Sequence, residues 1–189
     1  MIFKKNKMTC NILLTAINSS PVLNIISYLR KQKKYKIKII GCDITSHTAG
    51  RLFVDRFYEI PKFNSKELLP VLVDICKKEK VNILIPNFER ELLTISENRE
   101  FFENIKVKIA LPSKKIVRLC LNKEKTLKFF LDNNIPTCRT YKSGDINKNI
   151  FPLFLKPKSG DSSRGAMILN NVDELKKFYN SKEYIYVNY

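Results

Sequence analysis

Short apolar runs alternate with amphipathic segments over the first 110 residues, and this alternation limits the possible folds more than any other feature. Residues 10–17 (CNILLTAI) and 36–42 (KIKIIGC) have the aliphatic, β-branched character of buried strands. Between them, Pro21 follows two serines and opens a segment to about residue 34 whose apolar residues share one helical face. A strand, a helix of this length and a second strand form a βαβ unit, so we predict that the two strands are parallel.

The same rhythm continues and predicts an open, doubly wound α/β sheet. The predicted elements are helices at 49–55, 65–79 and 89–102 and strands at 57–60, 81–86 and 105–111. Ligands of such sheets bind beyond the carboxyl ends of the strands. Our candidates for a substrate crevice at that edge are Ser19, Asp43 and Glu89, with Asn18 and Asn87 beside them.

Each of these candidates also fits a purely structural role. Asp43 is well placed to cap the next helix, and Glu89 is a first-turn glutamate of the kind that the helix dipole favours. His47 is a lone histidine beside threonines, and no Ser/His/Asp or Cys/His arrangement is visible. We therefore assign no catalytic residue from the sequence.

Composition indicates a globular protein and excludes several classes. Of the 189 residues, 44% are hydrophobic and 11% aromatic, which is enough for a core. No apolar run approaches the roughly 18 residues of a membrane span. We expect residues 1–9 to be a basic leader ahead of the first strand, since the apolar run that follows is interrupted by Asn11 and Thr15, unlike a signal peptide. Five scattered cysteines without C-x-x-C spacing argue against a zinc site or disulfide framework and favour the cytoplasm.

The formal net charge of +17 raises the question of nucleic-acid binding. The basic residues, however, are spread evenly along the chain, and no predicted helix carries a basic stripe interleaved with aromatic residues. We expect no specific nucleic-acid partner, and at most a weak, salt-sensitive affinity for polyanions.

Pro112 and Ser113 mark a boundary beyond which the βαβ rhythm stops. We expect a domain at 10–112 and a smaller α+β unit at 113–189. The predicted elements of the second unit are helices at 114–121, 123–133 and from 172 to about 180, and strands at 137–141, 151–155, 166–169 and 184–189.

The stretch 151–169 (FPLFLKPKSGDSSRGAMIL) predicts two strands joined by a loop of small and polar residues. Backbone N–H groups of such a loop can surround phosphate oxygens, and Lys156, at the end of the first strand, would add a positive charge. This is not a P-loop, because Ala166 and Met167 stand where Lys and Ser/Thr belong. A Rossmann glycine fingerprint is also absent. The alternatives are a nucleoside triphosphate site and an ordinary surface hairpin.

Several segments, in this order and spacing, resemble the ATP-grasp superfamily, and particularly its carbamoyl-phosphate-synthase-like and pyrrolysine-synthesis-ligase-like members. The segments are GCD at 41–43, FYEIP at 57–61, LIPNFEREL at 84–92, NKEKTLKFFLDNNIPTCRTY at 122–141 and PLFLKPKSGDSSRGA at 152–166. The resemblance covers nearly the whole chain from about residue 10. It implies a Rossmann-like pre-ATP-grasp domain followed by the first, incomplete lobe of the nucleotide clamp.

The resemblance also implies residue roles. Lys156 matches the strand-end lysine that contacts the α- and β-phosphates, and Lys123 matches the basic residue ahead of the long helix. The loop residues that occupy positions of the mobile flap are Gly160, Ser162, Ser163 and Gly165. Asn122 departs from the family pattern, in which aspartate is common. For Lys123 and Lys156 the plainer alternative is a solvated surface charge.

The resemblance further implies an ATP-dependent ligase that converts a carboxylate into an acyl phosphate, which an amine or similar nucleophile then attacks. Its cofactors would be ATP and Mg²⁺, with a small-molecule carboxylate as substrate, no membrane, and a homodimer as one assembly that the family permits. No paired acidic cluster follows Gly165, so we expect the magnesium ligands in a second lobe that this chain lacks, and this piece alone to be inactive. The alternative is a non-catalytic nucleotide-binding or scaffolding module.

Overall fold

The computed structural model describes residues 8–147, 149–160, 162–179 and 181–188. The chain divides into two compact units, Met1–Lys114 and Lys115–Tyr189. Most of the expected basic leader lies outside the described residues, as do Asp161 of the glycine- and serine-rich loop and Tyr189 of the last predicted strand. Thr9, which we assigned to the leader, already belongs to the first strand.

The first unit contains a parallel five-stranded sheet, as the βαβ pattern predicts. Its elements are β1 (Thr9–Leu14), α1 (Ser20–Lys31), β2 (Lys36–Asp43), a 3₁₀ helix (Ala49–Phe53), β3 (Arg56–Glu59), α2 (Leu68–Lys78), β4 (Ile83–Ile85), α3 (Glu89–Glu97), α4 (Arg99–Glu103) and β5 (Lys108–Ile109). The strand order is β3-β2-β1-β4-β5, and every pair is parallel. The order reverses beside β1, which is the point where doubly wound sheets bind ligands.

Helices cover both faces of this sheet, which explains why its strands are continuous apolar runs. Leu13 and Ile40 pack in one cluster with α2, whereas their neighbours Leu14 and Ile39 pack in the other with α1. Successive strand residues point to opposite faces, so each strand serves both clusters. This buried arrangement fixes the carboxyl ends of β1, β2 and β4 side by side.

The predicted helix at 89–102 is in fact two helices that meet at Asn98. The Asn98 backbone N–H and its side-chain amide Nδ2 both donate to the Thr94 carbonyl, at 3.2 and 2.8 Å. A side chain that competes in this way for a helical carbonyl favours a helix end. The predicted helix at 49–55 is a 3₁₀ helix, Ala49–Phe53.

The second unit is the predicted α+β lobe, with a four-stranded antiparallel sheet. After α5 (Lys114–Cys120) come α6 (Lys123–Asp132), β6 (Thr140–Tyr141), a 3₁₀ helix (Ser143–Asp145), β7 (Leu153–Pro157), β8 (Met167–Leu169), α7 (Val172–Lys176) and β9 (Tyr184–Asn188). The strand order is β6-β9-β7-β8. None of the helices in the described parts of the chain is long and apolar enough to cross a bilayer.

The two faces of this antiparallel sheet carry different clusters. Leu153 and Leu155 pack with Leu175 of α7, whereas Phe154 packs against a cluster that contains Leu127 of α6. Because side chains alternate along a strand, Lys156 lies on the same face as Phe154. The sheet therefore directs Lys156 to the face that α6 covers.

Candidate functional site

The start of α6 is held against the loop between β7 and β8, which we call the flap loop (residues 158–166). The Lys123 backbone N–H donates to the Lys158 carbonyl at 2.7 Å, and the Lys123 Nζ donates to the Gly160 carbonyl at 2.8 Å. Lys158 Nζ also pairs with a carboxylate oxygen of Glu124 at 2.8 Å. The structure thus brings Lys123 to the flap loop, and its contact with phosphate remains a prediction.

Asn122 caps α6, at the position where the resemblance would place an aspartate. Its Oδ1 accepts a hydrogen bond from the Lys125 backbone N–H at 3.0 Å. An asparagine side chain performs this capping role about as well as aspartate does. The departure from the family pattern therefore leaves the helix start, and with it the position of Lys123, intact.

Lys156 lies within β7 rather than at its end. The prediction that the strand stops at residue 155 followed the apolar run, but β9 pairs with β7 as far as Pro157, with Lys156 opposite Ile185. Pairing with β9, which neighbours β7 on the side opposite β8, thus extends β7 by two residues. Lys156 is half-buried, and the chain reaches the flap loop two residues later.

Most of the described residues of the flap loop are exposed, and four of them have backbone conformations with a positive φ angle. Positive φ angles occur at Gly160 (126°), Ser162 (55°), Ser163 (57°) and Gly165 (73°). A left-handed residue that is not glycine costs roughly 1–2 kcal/mol, so the two serines hold this geometry at an energetic cost. Turns of this kind can direct successive backbone N–H groups at an anion.

At the carboxyl edge of the parallel sheet lies a cavity of about 230 Å³, which we call the sheet-edge pocket. Its lining residues are Ala16, Asp43, Ile44, Ile60, Pro61, Lys62, Phe63, Leu68, Phe88 and Glu91. Of the three crevice candidates, Asp43 lines this pocket. Asp43 does not cap a helix: Oδ2 accepts from the Asn18 N–H at 2.9 Å and Oδ1 from the Ile44 N–H at 2.8 Å. It therefore fastens the turn after β1 to the end of β2.

Glu91 is the functional candidate that the sequence analysis missed. It is 3% exposed, and its Oε1 accepts from the Thr15 hydroxyl and from the backbone N–H groups of Asn87 and Phe88, the latter two at 3.2 Å. Burial raises the pKa of this carboxyl, and the negative charge of Asp43 adds a smaller effect in the same direction, while the three hydrogen bonds oppose both. The sequence held one signal: Glu91 lies one turn before the buried Ile95 on the apolar face of α3.

Ser19 and Glu89 lie outside the lining of the sheet-edge pocket. Ser19 occupies the N-cap position of α1 without a side-chain capping bond, and its buried Oγ has no hydrogen-bond partner among the described residues. Glu89 is the first residue of α3, where the helix dipole accounts for it. Their assignment to a substrate crevice remains a prediction.

The described residues contain no group of three or more His, Cys, Asp or Glu side chains that could hold a metal ion. Magnesium requires carboxylate oxygens beside the phosphates. We assign no magnesium ligand.

Several solved structures of ATP-grasp enzymes have the same fold as this chain. N5-carboxyaminoimidazole synthetase from Staphylococcus aureus, complexed with ADP, matches with a TM-score of 0.67 at 16% identity over 99% of this chain and 49% of its own. The biotin carboxylase domain of Hydrogenobacter thermophilus 2-oxoglutarate carboxylase, a dimer in complex with MgADP, ADP and bicarbonate, matches with a TM-score of 0.65 at 18% identity, covering 97% and 45%. L-amino acid ligase from Bacillus licheniformis matches with a TM-score of 0.65 at 16% identity, covering 97% and 45%.

These likenesses establish the fold, and the chain spans about half the length of the structures it matches. No curated protein matches the chain. A family model does: residues 12–110, just over half of the 189 residues, match the PylC-like, N-terminal domain. That segment includes all five strands of the parallel sheet except the start of β1, together with the sheet-edge pocket. The chain therefore belongs to the PylC-like N-terminal domain family, whose fold here is that of ATP-grasp enzymes.

Proposed function

We propose that this chain is the ATP-binding portion of an ATP-grasp ligase that activates a small-molecule carboxylate. One observation carries the proposal: Lys123 and the flap loop meet in one lobe, and Lys156 lies on the strand that leads into that loop. Two lysines and a loop with left-handed turns are the groups that a triphosphate needs for charge neutralisation and backbone contacts.

The proposed reaction has two steps. A carboxylate oxygen of the substrate attacks the γ-phosphorus of ATP, and the bond to the β,γ-bridging oxygen breaks to give an acyl phosphate and ADP. An amine or similar nucleophile then attacks the acyl carbon, the C–O bond to phosphate breaks, and the nucleophile's proton is lost to solvent or a base. Phosphoryl transfer asks a protein mainly for positioning and electrostatic stabilisation.

In this scheme the residues of the second unit bind the phosphates of ATP and protect the acyl phosphate from water. Lys156 and Lys123 would neutralise phosphate charge, and the flap loop would exclude water from the acyl phosphate. Gly160, Ser162, Ser163 and Gly165 would offer backbone N–H groups. Mg²⁺ would supply further positive charge at the phosphates. We name no ligand for it among the described residues and derive no step through it.

A calorimetric titration of ATP into the chain, with and without Mg²⁺, tests the nucleotide site. We expect saturable binding that Lys156→Ala weakens about tenfold, since it removes one charge-assisted contact to phosphate. Lys176→Ala is the matched control, because Lys176 lies on α7, paired with Asp173 at 2.7 Å, and should leave the affinity unchanged. Binding that survives Lys156→Ala unchanged would refute the assignment of Lys156.

The alternative, a non-catalytic nucleotide-binding or scaffolding module, predicts the same titration. The two proposals separate when the longest polypeptide that the gene encodes is incubated with ATP and carboxylates and ADP release is measured. Carboxylate-dependent ADP release favours the ligase. ATP binding without any release favours the module, and absence of ATP binding by that polypeptide contradicts both.

A further inference from the structure

The sheet-edge pocket combines apolar walls with an acidic end. Phe63 and Phe88 pack edge to face in its wall, with ring centroids 5.6 Å apart. Its volume of about 230 Å³ lies below the roughly 300–1,000 Å³ of most drug-binding pockets, so it suits a ligand smaller than a typical drug. None of the residues proposed to contact phosphate lines this pocket.

The acidic end of the pocket has unused capacity to accept hydrogen bonds. An ionised carboxylate offers about four lone-pair positions on two oxygens. The three hydrogen bonds described at Glu91 all converge on Oε1, and Asp43 accepts one backbone N–H on each oxygen. A ligand at this end would therefore meet acceptors, and its own contribution must be donors.

The charges facing the pocket favour a cation among such donors. Glu91 and Asp43 interact electrostatically, and burying a carboxylate without a counter-charge is unfavourable. Lys62 also lines the pocket but is exposed, so its ammonium group reaches solvent at the rim. A positive group that enters from the ligand would offset both the burial of Glu91 and its repulsion from Asp43.

We propose that the sheet-edge pocket binds the ammonium end of a small substrate, with Asp43 and Glu91 as its acceptors and a short apolar stem against Phe63 and Phe88. This inference rests on the proposed ligase function, for which it names the class of one substrate. A protonated amine has no lone pair and cannot attack an acyl phosphate, so the bound ammonium is a recognition group. The reacting carboxylate or nucleophile of that substrate is a separate group outside the pocket.

The test is an NMR titration of the isotope-labelled chain with n-butylammonium, and with 1-butanol and butyrate as neutral and anionic analogues of similar shape. We expect saturable shifts at Ala16, Ile44 and Phe88 with n-butylammonium. 1-Butanol should bind at least about tenfold more weakly, because it lacks the charge-assisted hydrogen bonds, and butyrate should produce no saturable shift. Equal affinity for the ammonium and the alcohol, or preferential binding of butyrate, overturns the proposal.

Charge-removing variants locate the effect. Asp43→Asn and Glu91→Gln each remove a negative charge, and each should weaken n-butylammonium about tenfold. Glu91→Gln keeps an oxygen for the hydrogen bonds that converge on Oε1, whereas Asp43→Asn keeps one oxygen for the two backbone N–H groups that Asp43 accepts. The matched control is Glu67→Gln, an exposed position next to the lining residue Leu68, which should bind as the wild type does. If one of the two variants alters the spectrum of the free protein, the other one decides. Variants that bind like the control refute the assignment.

ATP titration of the same samples separates this inference from the proposed function. Loss of n-butylammonium binding with ATP binding retained places the defect in the pocket. A wild-type chain that binds ATP but does not bind n-butylammonium refutes the pocket proposal and leaves the nucleotide site standing. A wild-type chain that binds n-butylammonium but not ATP refutes the nucleotide site and leaves the pocket proposal standing.

Discussion

The sheet-edge pocket and the flap loop hold their polar groups in different ways. At the pocket, Glu91 is 3% exposed and is bound to Thr15 and to the loop after β4, so its position is fixed by burial. The flap loop is exposed, and Lys123 holds it through one backbone and one side-chain hydrogen bond. A buried network fixes geometry before a ligand arrives, whereas a segment with few exposed hydrogen bonds opens at low free energy. The first arrangement suits recognition, and the second suits a lid.

Close packing in the first unit gives the largest expected effect. A Cβ atom at Gly50 would lie 2.2 Å from the Ile17 carbonyl oxygen, a backbone atom that cannot move aside alone. We expect Gly50→Ala to lower the free energy of unfolding by about 3 kcal/mol or more. Gly144→Ala in the second unit is the control, since its Cβ would meet only the Tyr179 hydroxyl, at 3.9 Å.

Urea unfolding of both glycine variants, followed by amide exchange in each unit, measures this contrast. Gly50→Ala should destabilise amides of the first unit, and Gly144→Ala should change the free energy of unfolding by less than about 1 kcal/mol. Equal losses of unfolding free energy in the two variants would show that the first unit accommodates an added Cβ as easily as the second. The contrast between a rigidly packed first unit and a more adaptable second unit would then be wrong.

The sequence predicted the order of the elements better than it predicted the site. The parallel sheet and the hairpin follow from local patterns, and the structure confirms both. The position of Lys156 inside β7 depends on pairing with Ile185, about thirty residues away along the chain, and local periodicity does not contain that information. Glu91 was missed for the same reason: its burial is stabilised by Thr15, 76 residues earlier. Long-range contacts, rather than residue preferences, decide which polar side chains a fold encloses.

Two buried glutamates of the first unit should respond to pH with opposite signs. The hydrogen bond from Lys38, at 2.6 Å, and then that from the Tyr58 hydroxyl hold the pKa of Glu79 below its ordinary value. Its stabilising contribution is therefore present above the unfolded pKa, about 4.3, and is lost as the pH falls through the lower folded pKa. For Glu91, burial raises the folded pKa, so stability is lost as the pH rises from about 4.3 through that raised value.

Urea midpoints between pH 3 and pH 7 for the wild type, Glu79→Gln and Glu91→Gln check both signs. Glu79→Gln should flatten the loss of stability on the acid side, and Glu91→Gln should flatten the loss above about pH 4.3. A Glu91→Gln profile parallel to that of the wild type would mean that the pocket carboxylate titrates normally. The pocket would then be no more preorganised than the flap loop.

The Lys123 tether gives the smallest expected effect and tests the flap loop directly. Lys123→Met keeps the aliphatic side chain but removes the donor to the Gly160 carbonyl, while the backbone bond to Lys158 is unchanged. Because an exposed hydrogen bond contributes about 1 kcal/mol, amide exchange in the flap loop should accelerate about fivefold. Lys128→Met is the control, since Lys128 pairs with Asp132 on the same helix and should leave flap-loop exchange unchanged.

The same measurement repeated with ATP connects the tether to the lid. If phosphate competes with the Gly160 carbonyl for Lys123, saturating ATP should remove most of the difference in flap-loop exchange between the wild type and Lys123→Met, because neither then has the tether. A difference that persists unchanged under ATP would mean that Lys123 stays bound to Gly160. Lys123 would then be a structural fastening of the loop, and Lys156 would carry the proposed phosphate contact without it.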